Sequence, residues 1–190
     1  MSLFNVLETV RDKTKYKTTT TQKLKVQLYE RCVLETYRWV LELGCDTGNT
    51  TAVLALAMQE NGGKVLAVDN DPNRIEKAMK LMDELGLRDS VIFKTMDIYK
   101  PEAWEILSKY PIEFAFVDAM HSDDYPLWDI QNIQKSFPRI PIVMHDYGLI
   151  GAGVKEAIRK SGHIIRGKLG EETDWNPLKN NTEDWEAVLI

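Results

Sequence analysis

The stretch VLELGCDTGNTT at residues 40–51 decides the fold. An apolar run passes through two glycines into residues that favour a helix, which predicts a strand, a tight loop and the start of a helix. The pattern recurs as VLAVDNDP at residues 65–72, where a second apolar run ends in an acid and a proline suits the first helical turn. Together the two segments predict a βαβ unit that binds a nucleoside.

Strands and helices alternate through the rest of the chain. This alternation predicts a doubly wound, Rossmann-like α/β fold: a mostly parallel sheet of seven strands with helices on both faces and the last strand antiparallel. The predicted strands lie near residues 39–43, 64–68, 91–94, 113–117, 142–144, 163–167 and 185–190. The predicted helices span about 21–37, 50–60, 72–85, 101–109, 125–137 and 153–160. The long polar stretch from about 168 to 184 is a candidate lid, in which Trp175 could cover the active site.

The chain has 190 residues, of which 44% are hydrophobic, and its formal net charge is −5. This size predicts a single domain over residues 1–190, with an N-terminal segment and helix at 1–37 and a Rossmann-like core at 38–190. The acidic balance argues against nucleic acid as a partner. Six basic residues near the N-terminus are interpreted as a solvated face: Arg11, Lys13, Lys15, Lys17, Lys23 and Lys25.

Cysteine usage and hydropathy indicate the compartment. Cys32 and Cys45 lack the spacing of metal ligands and of a disulfide framework, which favours a reducing environment. No apolar stretch approaches the roughly 18 residues of a membrane span, and the N-terminus lacks the apolar core of a secretion signal. We therefore expect a soluble cytoplasmic protein without a membrane partner.

Polar residues follow the strands where a parallel sheet binds its ligand. In such sheets the ligand lies outside the carboxyl ends of the strands, so the residues at those ends are the candidates for a site. The five residues or pairs at these ends are Gly44, Asp69, Asp97, Asp118 and His145-Asp146. The alternative is that strand-to-helix loops favour Gly, Asp and Asn whatever they bind.

The polar residues at the first three of these strand ends suit an adenosine derivative as the ligand. Gly44 and Gly48 would let the backbone approach the ligand, and Asp69 could accept hydrogen bonds from both ribose hydroxyls. Asp97 could accept one from the adenine amine. No Gly-Lys-Ser/Thr follows the loop, and the carboxylate of Asp46 would repel a phosphate, so the loop favours a phosphate-free ligand that carries an ammonium group.

The motif Glu42-x-Gly44-x-x-x-Gly48, with Asp69 and Asp97, resembles the S-adenosylmethionine site of class I methyltransferases. The resemblance implies that the glycine loop holds the methionine moiety with the help of Glu42, that Asp69 holds the ribose, and that residues 96–97 hold the adenine. The residues it assigns to the cofactor are Glu42, Gly44, Asp46, Gly48, Thr50, Asp69, Asn70, Met96 and Asp97.

The second half of the chain narrows the resemblance. The segments FVDAMH at 116–121, IVMHDY at 142–147 and GVK at 153–155 resemble a branch that includes cation-dependent O-methyltransferases of sugars and other small hydroxylated molecules. That branch tolerates loss of the middle glycine of the first motif, the position that Asp46 occupies here.

The chemistry of this branch explains the second group of polar residues. A hydroxyl is a poor nucleophile near neutral pH, so a divalent cation and a base assist its methylation. Asp118 and Asp146 could bind Mg²⁺ or a similar ion, and His121 is placed to act as the base. His145 could be a further metal ligand or could orient Asp146. The alternative is that these residues cap the helices that follow.

The sequence thus predicts an S-adenosylmethionine-dependent methyltransferase that uses a cation to methylate a hydroxyl of a small acceptor such as a sugar. One alternative is a metal-independent N-methyltransferase, in which Asp118 and Asp146 hold a cationic acceptor. Another is a non-catalytic module that binds S-adenosylmethionine or a nucleoside. Because the chain is short, either the acceptor is small or a second subunit of a homo-oligomer completes the pocket.

Overall fold

A computed structural model describes residues 1–13, 19–176 and 182–190. The strands are β1 (Trp39–Leu43), β2 (Lys64–Asp69), β3 (Val91–Thr95), β4 (Phe114–Val117), β5 (Ile142–His145), β6 (Gly167–Leu169) and β7 (Ala187–Leu189). Within the described ranges they form one seven-stranded sheet in the order β3-β2-β1-β4-β5-β7-β6. Strands β1 to β5 are parallel, whereas β7 is antiparallel to both β5 and β6. The predicted fold is confirmed.

Seven α-helices of the described residues cover the two faces of this sheet. They are α1 (Leu3–Lys13), α2 (Gln22–Leu34), α3 (Asn49–Asn61), α4 (Pro72–Leu85), α5 (Pro101–Leu107), α6 (Tyr125–Ser136) and α7 (Val154–Ser161). One hydrophobic cluster packs α1 to α4 on one face, and a second packs α5 to α7 on the other. None of these helices has the length and apolar character needed to span a membrane.

The alternation of side chains along β1 determines the direction in which Glu42, its one charged residue, points. Val40 belongs to the cluster under α1 to α4, whereas Leu41 and Leu43 belong to the opposite cluster. Because side chains alternate between the faces of a strand, Glu42 lies on the same face as Val40. It therefore points toward α3, into an otherwise apolar layer.

Side-chain caps fix the starts of two helices. The hydroxyl of Thr21 accepts the N–H of Leu24 at the start of α2, and the carboxylate of Asp71 accepts the N–H of Asn73 at the start of α4. Each side chain satisfies a backbone donor that has no partner within the helix. The cap at Asp71 fixes the turn that follows β2, and this turn borders the candidate site.

The strand predicted at 163–167 is wrong. The structure places β6 at residues 167–169, where Gly167, Lys168 and Leu169 pair with the three residues of β7. Ile164 is 79% exposed, so the apolar residue that suggested an earlier strand has no layer to pack against. The pattern of β-branched residues indicated a strand, but the partner strand decides where pairing begins.

The basic run before β1 also needs a correction. The prediction of a solvated face is wrong for Lys25, whose side chain is buried with only 2% exposure, whereas Lys23 is exposed. Lys15 and Lys17 lie outside the described residues. The predicted lid at about 168–184 includes residues 177–181, which are also outside them, so the lid stays a prediction.

Candidate active site

A cavity of about 320 Å³ opens at the carboxyl ends of the parallel strands. Its volume is at the lower end of the range for small-molecule sites. The predicted site residues on its wall are Glu42, Gly44, Asp46, Thr50, Asp69, Asn70, Met96, Asp97, Asp118, His121 and Asp146. Gly48 and His145 are not on the wall. One cavity thus brings together the two groups of residues that the sequence suggested separately.

The glycine loop runs directly against the end of β4. Gly44 has a φ of +83°, and a Cβ there would lie 2.6 Å from the carbonyl carbon of Asp118 and 2.9 Å from the Cα of Ala119. Gly48 has a different role, because a Cβ there would lie 2.9 Å from the Cβ of Ala78 in α4. Gly44 therefore shapes the cavity, whereas Gly48 allows α3 to start close to α4.

Asp69 ties the glycine loop to the end of β2. Its Oδ2 accepts the N–H of Asp46 and its Oδ1 accepts the N–H of Asp71, both at 2.9 Å. Each carboxylate oxygen can accept more than one hydrogen bond, so both can also accept from a ligand in the cavity. On the neighbouring loop the carboxylate of Asp97 accepts the N–H of Tyr99 at 3.0 Å. These contacts hold two acidic side chains on one wall.

Glu42 is a buried acid at the base of the cavity. Its Oε2 accepts the hydroxyl of Thr51 at 2.6 Å. Burial raises the pKa of Glu42 to about 8; the hydrogen bond from Thr51 opposes this shift, and the nearby Asp118 and Asp69 add to it. At neutral pH the fold therefore favours a protonated Glu42, and a cationic ligand beside it would favour the carboxylate.

This pKa predicts how stability depends on pH. The fold favours the protonated carboxyl, so the cost of ionising Glu42 is absent below about pH 4.5, grows as the pH rises and is complete above about pH 8. We expect Glu42→Gln to raise the free energy of unfolding at pH 9 by a few kcal/mol, with little change at pH 5. Urea unfolding at both values tests this. Glu35→Gln, at an exposed position after α2, is the control. If Glu42→Gln changes the free energy of unfolding equally at pH 5 and pH 9, the raised pKa of Glu42 is contradicted.

Two Asp–His pairs meet at the ends of β4 and β5. Nδ1 of His145 lies 3.0 Å from Oδ1 of Asp118 and 3.4 Å from Oδ1 of Asp146. Nδ1 of His121 lies 2.8 Å from Oδ2 of Asp146. His121 is at the cavity surface, whereas the side chain of His145 is fully buried. The predicted base and the predicted metal ligands therefore form one connected cluster.

The opposite charges in this cluster stabilise the ionised form of Asp146 and the protonated form of His145. Burial alone would raise the pKa of Asp146, but His145 and His121 outweigh it and hold the pKa well below its ordinary value. Burial would likewise lower the pKa of His145, but Asp118 and Asp146 outweigh it and raise the pKa well above its ordinary value. Positive charge is thus strongly stabilised between the two acids.

The same cluster fits a divalent cation. One ligand atom each from Asp118, His145 and Asp146 lies within 4.8 Å of the others. Nδ1 of His145 and Oδ1 of Asp146 are buried and have no hydrogen-bond partner among the described residues. A mixed set of carboxylate oxygen and imidazole nitrogen is a common donor set for divalent ions. These orphaned buried atoms agree with the predicted metal site.

Sequence reasoning missed two residues near this cluster, Glu186 and Lys25, and named a third, Trp175, only as a possible cover of the site. Glu186 contacts Nε2 of His145, and the ring of Trp175 lies edge-on to that of His145 at 5.3 Å between centroids. Burial lowers the pKa of Lys25 to about 8, although Glu186 and Asp118 oppose the shift. Two signals could have found them: an acid inside the apolar run 185–190, and Lys25 at helical spacing from Leu28.

Comparisons with known proteins agree with this geometry. A family model described as "Methyltransferase domain" matches residues 41–147, more than half of the chain. No curated protein matches the sequence.

Solved structures with a similar fold cover nearly the whole chain. Cofactor-bound Rv0187 from MTB has 18% identity and a TM-score of 0.71, over 99% of this chain and 88% of that one. An O-methyltransferase from Bacillus cereus in complex with SAH has 16% identity and a TM-score of 0.69, over 98% and 88%. The O-methyltransferase TomG from Streptomyces achromogenes, in complex with SAM, has 18% identity and a TM-score of 0.66, over 97% and 88%. These likenesses support the fold.

Proposed function

The chain belongs to the methyltransferase-domain family, and from this premise we propose that it transfers the methyl group of S-adenosylmethionine to a hydroxyl of a small acceptor with the help of a divalent cation. The observation that carries the proposal is the single cavity in which Asp69 and the glycine loop face Asp118, His121 and Asp146. A methyl donor and an acceptor hydroxyl would therefore meet in one cavity.

The donor half of the cavity supports S-adenosylmethionine. When bound, this cofactor supplies the methyl group on a positively charged sulfur. Asp69 would accept the ribose hydroxyls, Asp97 the adenine amine, and Glu42 would face the ammonium of the methionine end. Because Gly44 has no Cβ, the glycine loop can lie against the end of β4, next to the position proposed for the methionine moiety.

The acceptor half supports an oxygen nucleophile. Asp118, His145 and Asp146 would hold a divalent cation, which when bound lowers the pKa of an acceptor hydroxyl. Asp146 orients the ring of His121 through Nδ1, and Nε2 of His121 would then take the hydroxyl proton. The O-methyltransferase names of two of the similar structures support oxygen as the methylated atom.

Polar groups beside this cluster suit an acceptor rich in hydroxyls. Thr19, Thr20 and Asn176 line the cavity, and the hydroxyl of Thr20 lies 3.4 Å from Oδ2 of Asp118. Side chains of this kind both donate and accept hydrogen bonds, as sugar hydroxyls require. We therefore retain a small hydroxylated acceptor such as a sugar as the proposed substrate class.

Calorimetric titration with S-adenosylhomocysteine tests the donor half. We expect binding to one site per chain, and Asp69→Asn to weaken it by about 10- to 100-fold, because a charged acceptor of two hydrogen bonds is lost. Asp71→Asn is the matched control, since Asn is an equally good helix cap and Asp71 is not on the cavity wall. Equal affinities for wild type and Asp69→Asn would refute the assigned cofactor position.

Repeating the measurement with Mg²⁺, Mn²⁺ and a chelator, together with methyl transfer to a panel of polyols and amines, separates the alternatives. Cation-dependent transfer to hydroxyls supports the proposal. Cation-independent transfer to amines would favour an N-methyltransferase. Cofactor binding without transfer to any acceptor would favour a non-catalytic module.

A further inference from the structure

Glu186 lies on the far side of His145 from the cavity. Its carboxylate is fully buried and accepts the N–H of Thr21 at 2.7 Å, the hydroxyl of Thr21 at 2.5 Å and the N–H of Glu171 at 3.1 Å. Its Oε1 lies 3.4 Å from Nε2 of His145. The chain thus fixes a carboxylate behind the imidazole with three hydrogen bonds from outside the cluster.

Both ring nitrogens of His145 face carboxylates. Nε2 faces Glu186, whereas Nδ1 faces Asp118 and Asp146, the two predicted metal ligands. A cation bound between these two acids would take the place of the proton on Nδ1, and Glu186 would accept the N–H that stays on Nε2. The rings of Phe116 and Trp175 lie edge-on to the imidazole, at 6.2 and 5.3 Å between centroids, and restrict its rotation.

The spacing around Nδ1 is compatible with coordination of one ion. Nδ1 lies 3.0 Å from Oδ1 of Asp118 and 3.4 Å from Oδ1 of Asp146, yet it makes no hydrogen bond within the described part of the chain. Adjacent ligands of a six-coordinate ion bound at about 2.1 Å lie about 3 Å apart. The two distances from Nδ1 are close to this spacing, and one ligand atom from each of the three residues lies within 4.8 Å of the others.

We infer that Glu186 fixes His145 as a nitrogen ligand and that the site consequently prefers a transition-metal ion such as Mn²⁺, Co²⁺ or Zn²⁺ to Mg²⁺. Mg²⁺ favours oxygen ligands, whereas imidazole favours first-row transition ions. A carboxylate that accepts the second N–H of a ligating histidine strengthens the ligand and fixes its tautomer. This inference rests on the proposed cation site and gives it a chemical class, with Glu186 as a positioning residue.

Calorimetric titration of the chelator-treated protein with CoCl₂ and MgCl₂ tests the inference. We expect His145→Asn, which places an amide oxygen near the position of Nδ1, to keep the Mg²⁺ affinity within about threefold and to lower the preference for Co²⁺ over Mg²⁺ at least about tenfold. Glu186→Gln should weaken Co²⁺ binding by about 10- to 100-fold. In the Zn²⁺-loaded wild type, ¹⁵N NMR should find the ring proton of His145 on Nε2.

Glu171→Gln is the matched control, because the side chain of Glu171 is half exposed and pairs with Lys23 at 3.5 Å. If Glu186→Gln fails to fold, His145→Asn still tests the metal preference, and the position of the ring proton of His145 still tests the role of Glu186. An unchanged Co²⁺/Mg²⁺ ratio in His145→Asn would overturn the inference while leaving a cation site intact. Absence of binding by any ion to a wild type that still binds S-adenosylhomocysteine would overturn the cation part of the proposed function and this inference with it.

Discussion

Asp146→Asn should lower kcat/KM by about 10³-fold on any acceptor that the wild type methylates, equivalent to about 4 kcal/mol of transition-state stabilisation. Asp146 holds Nδ1 of His121 at 2.8 Å and faces Nδ1 of His145 at 3.4 Å. Loss of its charge would therefore weaken both the orientation of the base and the binding of the cation. Initial rates at saturating S-adenosylmethionine and Mn²⁺ measure the effect.

The fold should tolerate this substitution. Asp146 has a φ of +58°, a conformation that Asn adopts as readily as Asp. Asp123→Asn is the matched control, because Asp123 has a φ of +54° and is exposed. A similar loss of activity in both variants, or wild-type turnover in Asp146→Asn, would contradict the role given to Asp146.

Gly44→Ala should abolish cofactor binding and destabilise the protein by roughly 3 kcal/mol or more. A left-handed backbone is strained for alanine, and its Cβ would overlap the backbone of Asp118 and Ala119. The loop or β4 must shift to relieve the overlap, and either shift displaces the cofactor wall from the Asp118 cluster. Urea unfolding and titration with S-adenosylhomocysteine measure the two effects.

Gly62→Ala separates backbone strain from steric overlap. Gly62 has a φ of +66° at the end of α3, and a Cβ there would meet nothing within 4 Å. We expect this variant to lose only about 1 to 2 kcal/mol and to bind cofactor normally. If Gly44→Ala behaves like Gly62→Ala, the close approach of the loop to β4 is not what shapes the site.

Much of the fold could be predicted because its signals are local. Hydrophobic runs mark β1 to β5, and Thr21, Asp71 and Gly86 mark the limits of α2 and α4. The error at residues 163–167 has a tertiary cause. A short edge strand depends on its partner, and no local pattern specified that β7 would offer only three residues for pairing.

The candidate site likewise has a part that the sequence could predict and a part that it could not. Residues at the ends of parallel strands could be identified because topology collects those ends, and Asp69, Asp118 and Asp146 do line one cavity. Glu186 was not assigned, because it directly precedes β7, an antiparallel strand that inserts next to β5. The prediction for Lys25 was wrong because its charge suggested exposure to solvent, whereas its face of the helix is buried.

A crystal structure of the protein with S-adenosylhomocysteine and Mn²⁺, measured at the manganese absorption edge, tests the central claim most directly. We predict one anomalous peak bounded by Asp118, His145 and Asp146, with the ribose of the cofactor on Asp69 in the same cavity. An anomalous map without a peak at these three residues, or a cofactor bound away from Asp69, would contradict it.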